Sequence, residues 1–166
     1  MFATTMSAGE KLTIRDITGS KFSAKMVNGM NPISGTDTYA RIEGKKIVSY
    51  SFKTGKQVSV LFDADNTIGK KIDGFDSYIF SPDGKRMLIQ TKTEKIYRRS
   101  YKAEFYIYNI VSRRLDPLSD GGPQQVPTWS NDGLQVAFVR DNNIFLVKLL
   151  YDNAEIQVTK DGKFNE

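Results

Sequence analysis

The residues of this chain best suited to hold a ligand are the paired cations Arg98 and Arg99, set between Tyr97 and Tyr101. Guanidinium groups present forked donors to a carbonyl or carboxylate oxygen, and the flanking rings offer an apolar surface beside them. The same segment also fits a merely longer β-hairpin whose arginines stay in water. Other chemistries lack their starting materials, because the 166 residues include no histidine and no cysteine. That excludes a Ser-His-Asp or Cys-His catalytic group, an imidazole metal site, a disulfide framework and a zinc-finger spacing. No Gly-x-Ser-x-Gly nucleophile elbow occurs either. The chain by itself is expected to carry no catalytic residue, no metal and no cofactor.

Charge does not name a partner. Lys and Arg number 24 against 19 Asp and Glu, a net +5 with an isoelectric point near 9.3. The cations fall in scattered doublets, namely Lys45-Lys46, Lys70-Lys71, Lys85-Arg86, Arg98-Arg99 and Arg113-Arg114. Most sit beside turn residues, where a long cation stays solvated. A nucleic-acid-binding β-domain would rest on this charge alone, and no nucleic acid is expected as a partner. No stretch approaches the roughly 18 apolar residues that a membrane helix needs. Residues 1–8 are small and mildly apolar, which fits either the tail end of a signal peptide or a frayed terminus.

The elements that must position Arg98 are strands. Period-2 alternation dominates from Thr38 onward. One short helix is expected near the start, with Thr13 capping 14–17, Asp16 at the capping-box position and Gly19 as a stop. Residues 28–32 read as a turn-rich connection. Strands are expected at 38–42, 46–52, 57–62, 77–80, 86–91, 104–110, 114–118, 126–129, 135–140, 143–149 and 155–159. Glu43-Gly44 and Thr54-Gly55 are plausible hairpin turns. This pattern is all-β, a sandwich, barrel or propeller. The runs 105–108 and 144–147 are apolar on both faces, so their sheets should be covered on both sides.

An internal repeat favours the propeller. Segments 77–89 and 126–138 both read aromatic-Ser-x-Asp-Gly-x-x followed by three apolar residues, with Ser81 and Ser130 spaced 49 residues apart. Propeller blades recur at about 40–50 residues. Asp-Gly supplies the positive-φ turn, and the serine satisfies nearby backbone groups. A second match relates 47–56 to 105–114, giving three units at 36–65, 74–119 and 125–161, each expected to be one four-stranded blade. Residues 1–35 would form an N-terminal segment of short helix and loop, and 36–166 a partial propeller. The middle unit carries about ten extra residues at 94–103 between its second and third strands. Insertions on repeat scaffolds commonly do the binding.

Three segments carry a more specific resemblance. These are Trp129-Ser130-Asn131-Asp132-Gly133 with Val136 to Val139 and Asn142 to Leu146, Tyr97-Arg98-Arg99-Ser100-Tyr101 with Tyr106-Ile107-Tyr108-Asn109, and Leu12 to Lys25. In this order they resemble the N-terminal β-propeller region of the dipeptidyl peptidase IV family of serine exopeptidases, over about 11–166. The Ser-x-Asp-Gly boxes are shared with many propellers; the arginine segment is the specific part. Family members often read Trp-Arg-His-Ser-Tyr there, and this chain has Tyr97 and Arg99 in place of the Trp and His.

The resemblance implies an eight-bladed propeller capping an α/β-hydrolase domain that supplies the Ser, Asp and His. It implies that Arg98 is a substrate-binding residue, hydrogen-bonding a substrate carbonyl oxygen from an extended loop. A glutamate pair that holds the substrate ammonium would follow the segment matching 158–162. No adjacent Glu-Glu occurs in this chain, and the spacing to Glu166 is too short for it to be one of the pair. The expectation is therefore a non-catalytic portion, about three blades, of a bacterial enzyme, periplasmic or secreted, that releases X-Pro or X-Ala dipeptides. Its partners would be the peptide substrate, the remaining blades and the hydrolase domain, and open blades would self-associate. The alternative is a scaffolding propeller of the periplasmic Tol-associated type, without a hydrolase.

Overall fold

A computed structural model of the chain describes residues 12–19, 21–23 and 29–163; the expectations for residues 1–8 and for Glu166 lie outside the described residues. Helix α1 (Ile14–Thr18) forms as its capping box dictates. The Thr13 hydroxyl accepts from the Asp16 N–H, and the Asp16 carboxylate accepts from the Thr13 N–H at 3.0 Å. None of its side chains is buried.

Three sheets follow in chain order. The first joins β1 (Asn31–Pro32), β2 (Thr38–Glu43), β3 (Lys46–Ser51) and β4 (Gln57–Asp63) as an antiparallel meander. The second contains β5 (Ile68–Gly69), β6 (Ser77–Phe80), β7 (Arg86–Lys95), β8 (Tyr101–Asn109) and β9 (Arg114–Pro117), in the spatial order β5-β9-β8-β7-β6. The third is the meander β10 (Gln125–Trp129), β11 (Gln135–Arg140), β12 (Asn143–Lys148) and β13 (Ala154–Gln157). These are successive propeller blades, and the class is all-β.

Two short strands depart from the sequence expectation. Residues 31 and 32, expected in a connection, pair with Ala40 and Tyr39. Pro32 has no N–H to give, which an edge strand tolerates. The middle blade has five strands rather than four, because Ile68 and Gly69 run parallel to Arg114 and Leu115 on its outer edge. Two residues are too few to show a period, so nothing in the local sequence marks this pairing.

Alternation in the middle sheet explains its apolar runs. Met87, Ile89, Tyr106 and Tyr108 face the first sheet, where they meet Ala40, Ile47 and Phe62. Leu88, Phe105 and Ile107 face the third, where they meet Val136, Phe138, Phe145 and Val147. Phe62 stands edge-on to Tyr108 with ring centroids 4.8 Å apart, an arrangement that contributes about 0.5–1.5 kcal/mol beyond burial. In the third sheet the expectation of two covered faces holds on one face only. Phe145 and Val147 are buried, whereas Ile144 is exposed, since no fourth sheet among the described residues stacks on it.

The Ser-x-Asp-Gly turns repeat atom for atom. The Ser81 hydroxyl donates to Asp83 Oδ1 at 2.6 Å and accepts from the Arg86 N–H at 2.9 Å, while Asp83 Oδ1 also accepts from the Lys85 N–H. Ser130, Asp132, Leu134 and Gln135 make the same bonds in the third sheet. Gly84 and Gly133 close the turns at φ 66 and 68, a region few other residues adopt without strain.

Candidate functional site

The ten additional residues of the middle unit are not an irregular loop. They prolong the β7–β8 ladder, which runs from Arg86↔Asn109 out to Lys95↔Tyr101 and leaves only residues 96–100 as a tip. The tip closes with the Ile96 and Tyr97 N–H groups donating to the Ser100 carbonyl at 2.9 and 3.2 Å. Tyr97, Arg98 and Arg99 are all exposed, Tyr97 at 77%. Among the described residues neither arginine has an ion-pair or hydrogen-bond partner. Arg98 therefore presents an unengaged guanidinium at the end of a β-hairpin stalk.

The stalk has a joint. The ladder shifts register between Thr91 and Glu94, where Lys92 takes φ 49 and Thr93 leaves the pairing. This is a β-bulge, the device by which sheets re-aim a strand near a rim. Thr93 donates from both its N–H (3.0 Å) and its hydroxyl (2.6 Å) to Asp76 Oδ2, and its hydroxyl accepts from the Gln90 amide at 2.7 Å. Lys92 reaches across to Glu104 Oε1 at 2.9 Å, and Glu104 Oε2 accepts from the Tyr106 hydroxyl at 3.0 Å. The Lys92 hydrogen bond, opposed by partial burial and aided by Tyr106, holds the Glu104 carboxyl below its ordinary range. Burial, then the Glu104 acceptor, pushes the Tyr106 phenol up to about 12.

At the base, the connection leading to β10 docks on β8. Ala103 and Gln124 exchange backbone hydrogen bonds at 3.0 and 2.8 Å, and the buried Gln124 side chain accepts from the Phe105 N–H at 2.9 Å. Tyr101 packs on the core between the second and third sheets. A cleft of about 480 Å³ lined by Asp116, Asp120, Asp152 and Glu155 lies elsewhere and includes no residue of the tip. Arg98 is thus brought together with Tyr97 and Arg99 and with no other candidate residue. Asp76, Thr93 and Gln124 carried no signal in the sequence; the one visible trace of the joint is the polar run from Gln90 to Lys95.

Residues 81–166 match the family model described as the dipeptidyl peptidase IV (DPP IV) N-terminal region. A prolyl endopeptidase FAP from Bos taurus is 30% identical over 161 residues, covering 96% of this chain and 20% of that protein. A probable dipeptidyl-aminopeptidase B from Tuber melanosporum is 29% identical over 95% of this chain and 19% of its own length. The chain thus spans about a fifth of the curated relatives it matches. Among solved structures, dipeptidyl peptidase 4 from Porphyromonas gingivalis superposes with a TM-score of 0.80 at 34% identity, over 96% of this chain and 23% of that one. A putative TolB from Agrobacterium tumefaciens gives a TM-score of 0.50 at 16% identity, over 80% of this chain and 45% of that one, which is a likeness of fold alone.

Proposed function

The chain belongs to the family of the dipeptidyl peptidase IV N-terminal region, and from that premise we propose that it supplies propeller wall and substrate recognition to a serine-type dipeptidyl peptidase. The parent enzyme removes X-Pro or X-Ala dipeptides from peptide N-termini, outside the cytoplasm, in the periplasm or as a secreted protein. The nucleophile and its partners come from the hydrolase domain; this segment contributes Arg98 and the walls that restrict access to the cavity.

The observation that supports this reading is the unengaged Arg98 guanidinium at the tip of the β7–β8 hairpin, inside the matched segment. A peptide carbonyl oxygen entering there accepts a charge-assisted hydrogen bond, with no internal ion pair to break first. Fixing that carbonyl fixes the register of the bound dipeptide, so binding energy remote from the scissile bond orients it for attack.

The test is kinetic. In the full-length peptidase, Arg98→Ala should lower kcat/KM by about 1–3 kcal/mol of transition-state binding, the scale of a lost charge-assisted hydrogen bond. An unchanged kcat/KM removes Arg98 from the site. The 166-residue chain alone should show no turnover of a Gly-Pro chromogenic substrate, and turnover by a contaminant-free preparation refutes its non-catalytic role.

A further inference from the structure

We propose that the bulge at Lys92 and Thr93, locked from outside the hairpin by Asp76, sets the direction in which the stalk carries its tip, which makes Asp76 a positioning residue for Arg98. The inference rests on the reading of Arg98 given above. Beyond the bulge the ladder contains only Glu94↔Lys102 and Lys95↔Tyr101. The ion pair there, Lys102 to Glu94 at 3.0 Å, is solvent-exposed, and such pairs hold little. The outer arm takes its direction from the joint.

A bulge leaves a residue out of the ladder, and its N–H must find an acceptor elsewhere. Here both donors of Thr93 converge on one oxygen of Asp76. Asp76 belongs to the connection entering β6 and is itself fixed, its N–H donating to the Gln90 carbonyl at 2.8 Å. The carboxylate therefore ties the stalk to the body of the blade rather than to itself. On the opposite strand Glu104 holds the ammonium of Lys92, whose φ of 49 is adopted only under constraint. Arg98 lies five residues past Thr93, but only Glu94 and Lys95 of that stretch are in the ladder, so the tip stands roughly 10 Å beyond the joint. A swing of about 10° there carries the tip roughly 2 Å, more than a hydrogen bond tolerates.

The experiment uses the full-length peptidase with Asp76→Ala, Thr93→Val and Thr93→Ser, each alone and combined with Arg98→Ala. Amide hydrogen exchange is followed over residues 94–102, and kcat/KM is measured on Gly-Pro-p-nitroanilide. Asp76→Ala should speed exchange in 94–102 at least about tenfold while the rest of the blade keeps its protection. It should lower kcat/KM on the order of tenfold, mainly through KM, and add nothing in the Arg98→Ala background. Thr93→Val should follow it, and Thr93→Ser, which keeps both donors, should match the wild type. Unchanged exchange in Asp76→Ala and Thr93→Val overturns the joint, and an equal kinetic loss with Arg98 already removed overturns its action through Arg98. An Arg98→Ala variant with full activity overturns the reading of Arg98 instead, and exchange alone then decides the joint.

Discussion

Gly133 rests against Asp83: a Cβ built on this glycine would stand 3.3 Å from both Cγ and Oδ1 of the Asp83 carboxylate and 3.5 Å from the Ser81 Cβ. The Asp-Gly turn of the third blade thus nests on the Ser-x-Asp turn of the second. The Asp83 carboxylate cannot yield easily, because the Ser81 hydroxyl and the Lys85 N–H hold it. Gly84, its counterpart one blade earlier, has the same φ but open space around it. Gly84→Ala should therefore cost only the positive-φ penalty of about 1–2 kcal/mol, and Gly133→Ala measurably more. Urea unfolding of the two variants compares them directly, and equal losses would show that the nesting contributes nothing.

The same carboxylates make the fold sensitive to acid. Burial raises the Asp83 carboxyl, but the hydrogen bonds from Ser81 and Lys85 and the nearby Arg86 and Lys85 charges outweigh it and hold the group below its usual value. Asp132 is held down first by the Ser130 hydroxyl and then by the Leu134 N–H. A depressed folded value means stability that is fully present above the ordinary carboxylate pKa near 4 and is lost as pH falls through the folded value. Removing the Ser81 hydroxyl, which is buried, should cost about 1 kcal/mol near neutrality. In a Ser81→Ala/Ser130→Ala double variant the decline in stability below about pH 4 should be shallower than in the wild type. A parallel decline would show that these bonds do not set the two carboxyls.

Two sheet faces of this chain lack a cover among the described residues. On the third sheet Val139 pairs with Ile144 and Leu146 with Ile156, all on the face opposite Phe145 and Val147. On the first sheet Phe52, which tilts against Tyr39, and Val60, which pairs with Val48, are exposed, while Tyr39 and Val48 themselves are buried. The isolated chain should self-associate as its concentration rises, by pairing of these faces or by strand exchange. Light scattering reads the effect, Ile144→Lys should weaken it, and a monodisperse monomer at high concentration contradicts it.

Charge alone should not replace Arg98. A lysine offers a compact ammonium rather than a planar fork, so Arg98→Lys should recover less than half of the kcat/KM lost in Arg98→Ala. Full recovery would make the residue a source of potential rather than a directed donor.

How much of this was legible beforehand varies with the range of the interaction. The β2 to β4 and β6 to β13 strands are readable because alternation and Asp-Gly turns are local. The two-sided burial of Phe105 to Tyr108 could be read from an apolar run lacking alternation. The Arg98 segment was visible as surplus length between otherwise matching repeats. By contrast, β5 answers to a strand 46 residues away, and Pro32 pairs at an edge where propensity says nothing. Asp76 and Thr93 meet across 17 residues through a register shift, and no spacing rule encodes a bulge. The surplus residues form the longer hairpin with exposed arginines that the sequence equally allows.

The β5 strand bears on how the blade is made. Ile68 and Gly69 leave the ribosome before β9 exists, and they become its parallel neighbour once Arg114 and Leu115 follow. The cover is synthesised before the edge it covers. The outermost strand of the second blade need not wait exposed beside other nascent chains, and completion of that blade draws the trailing segment of the first into the same cooperative step.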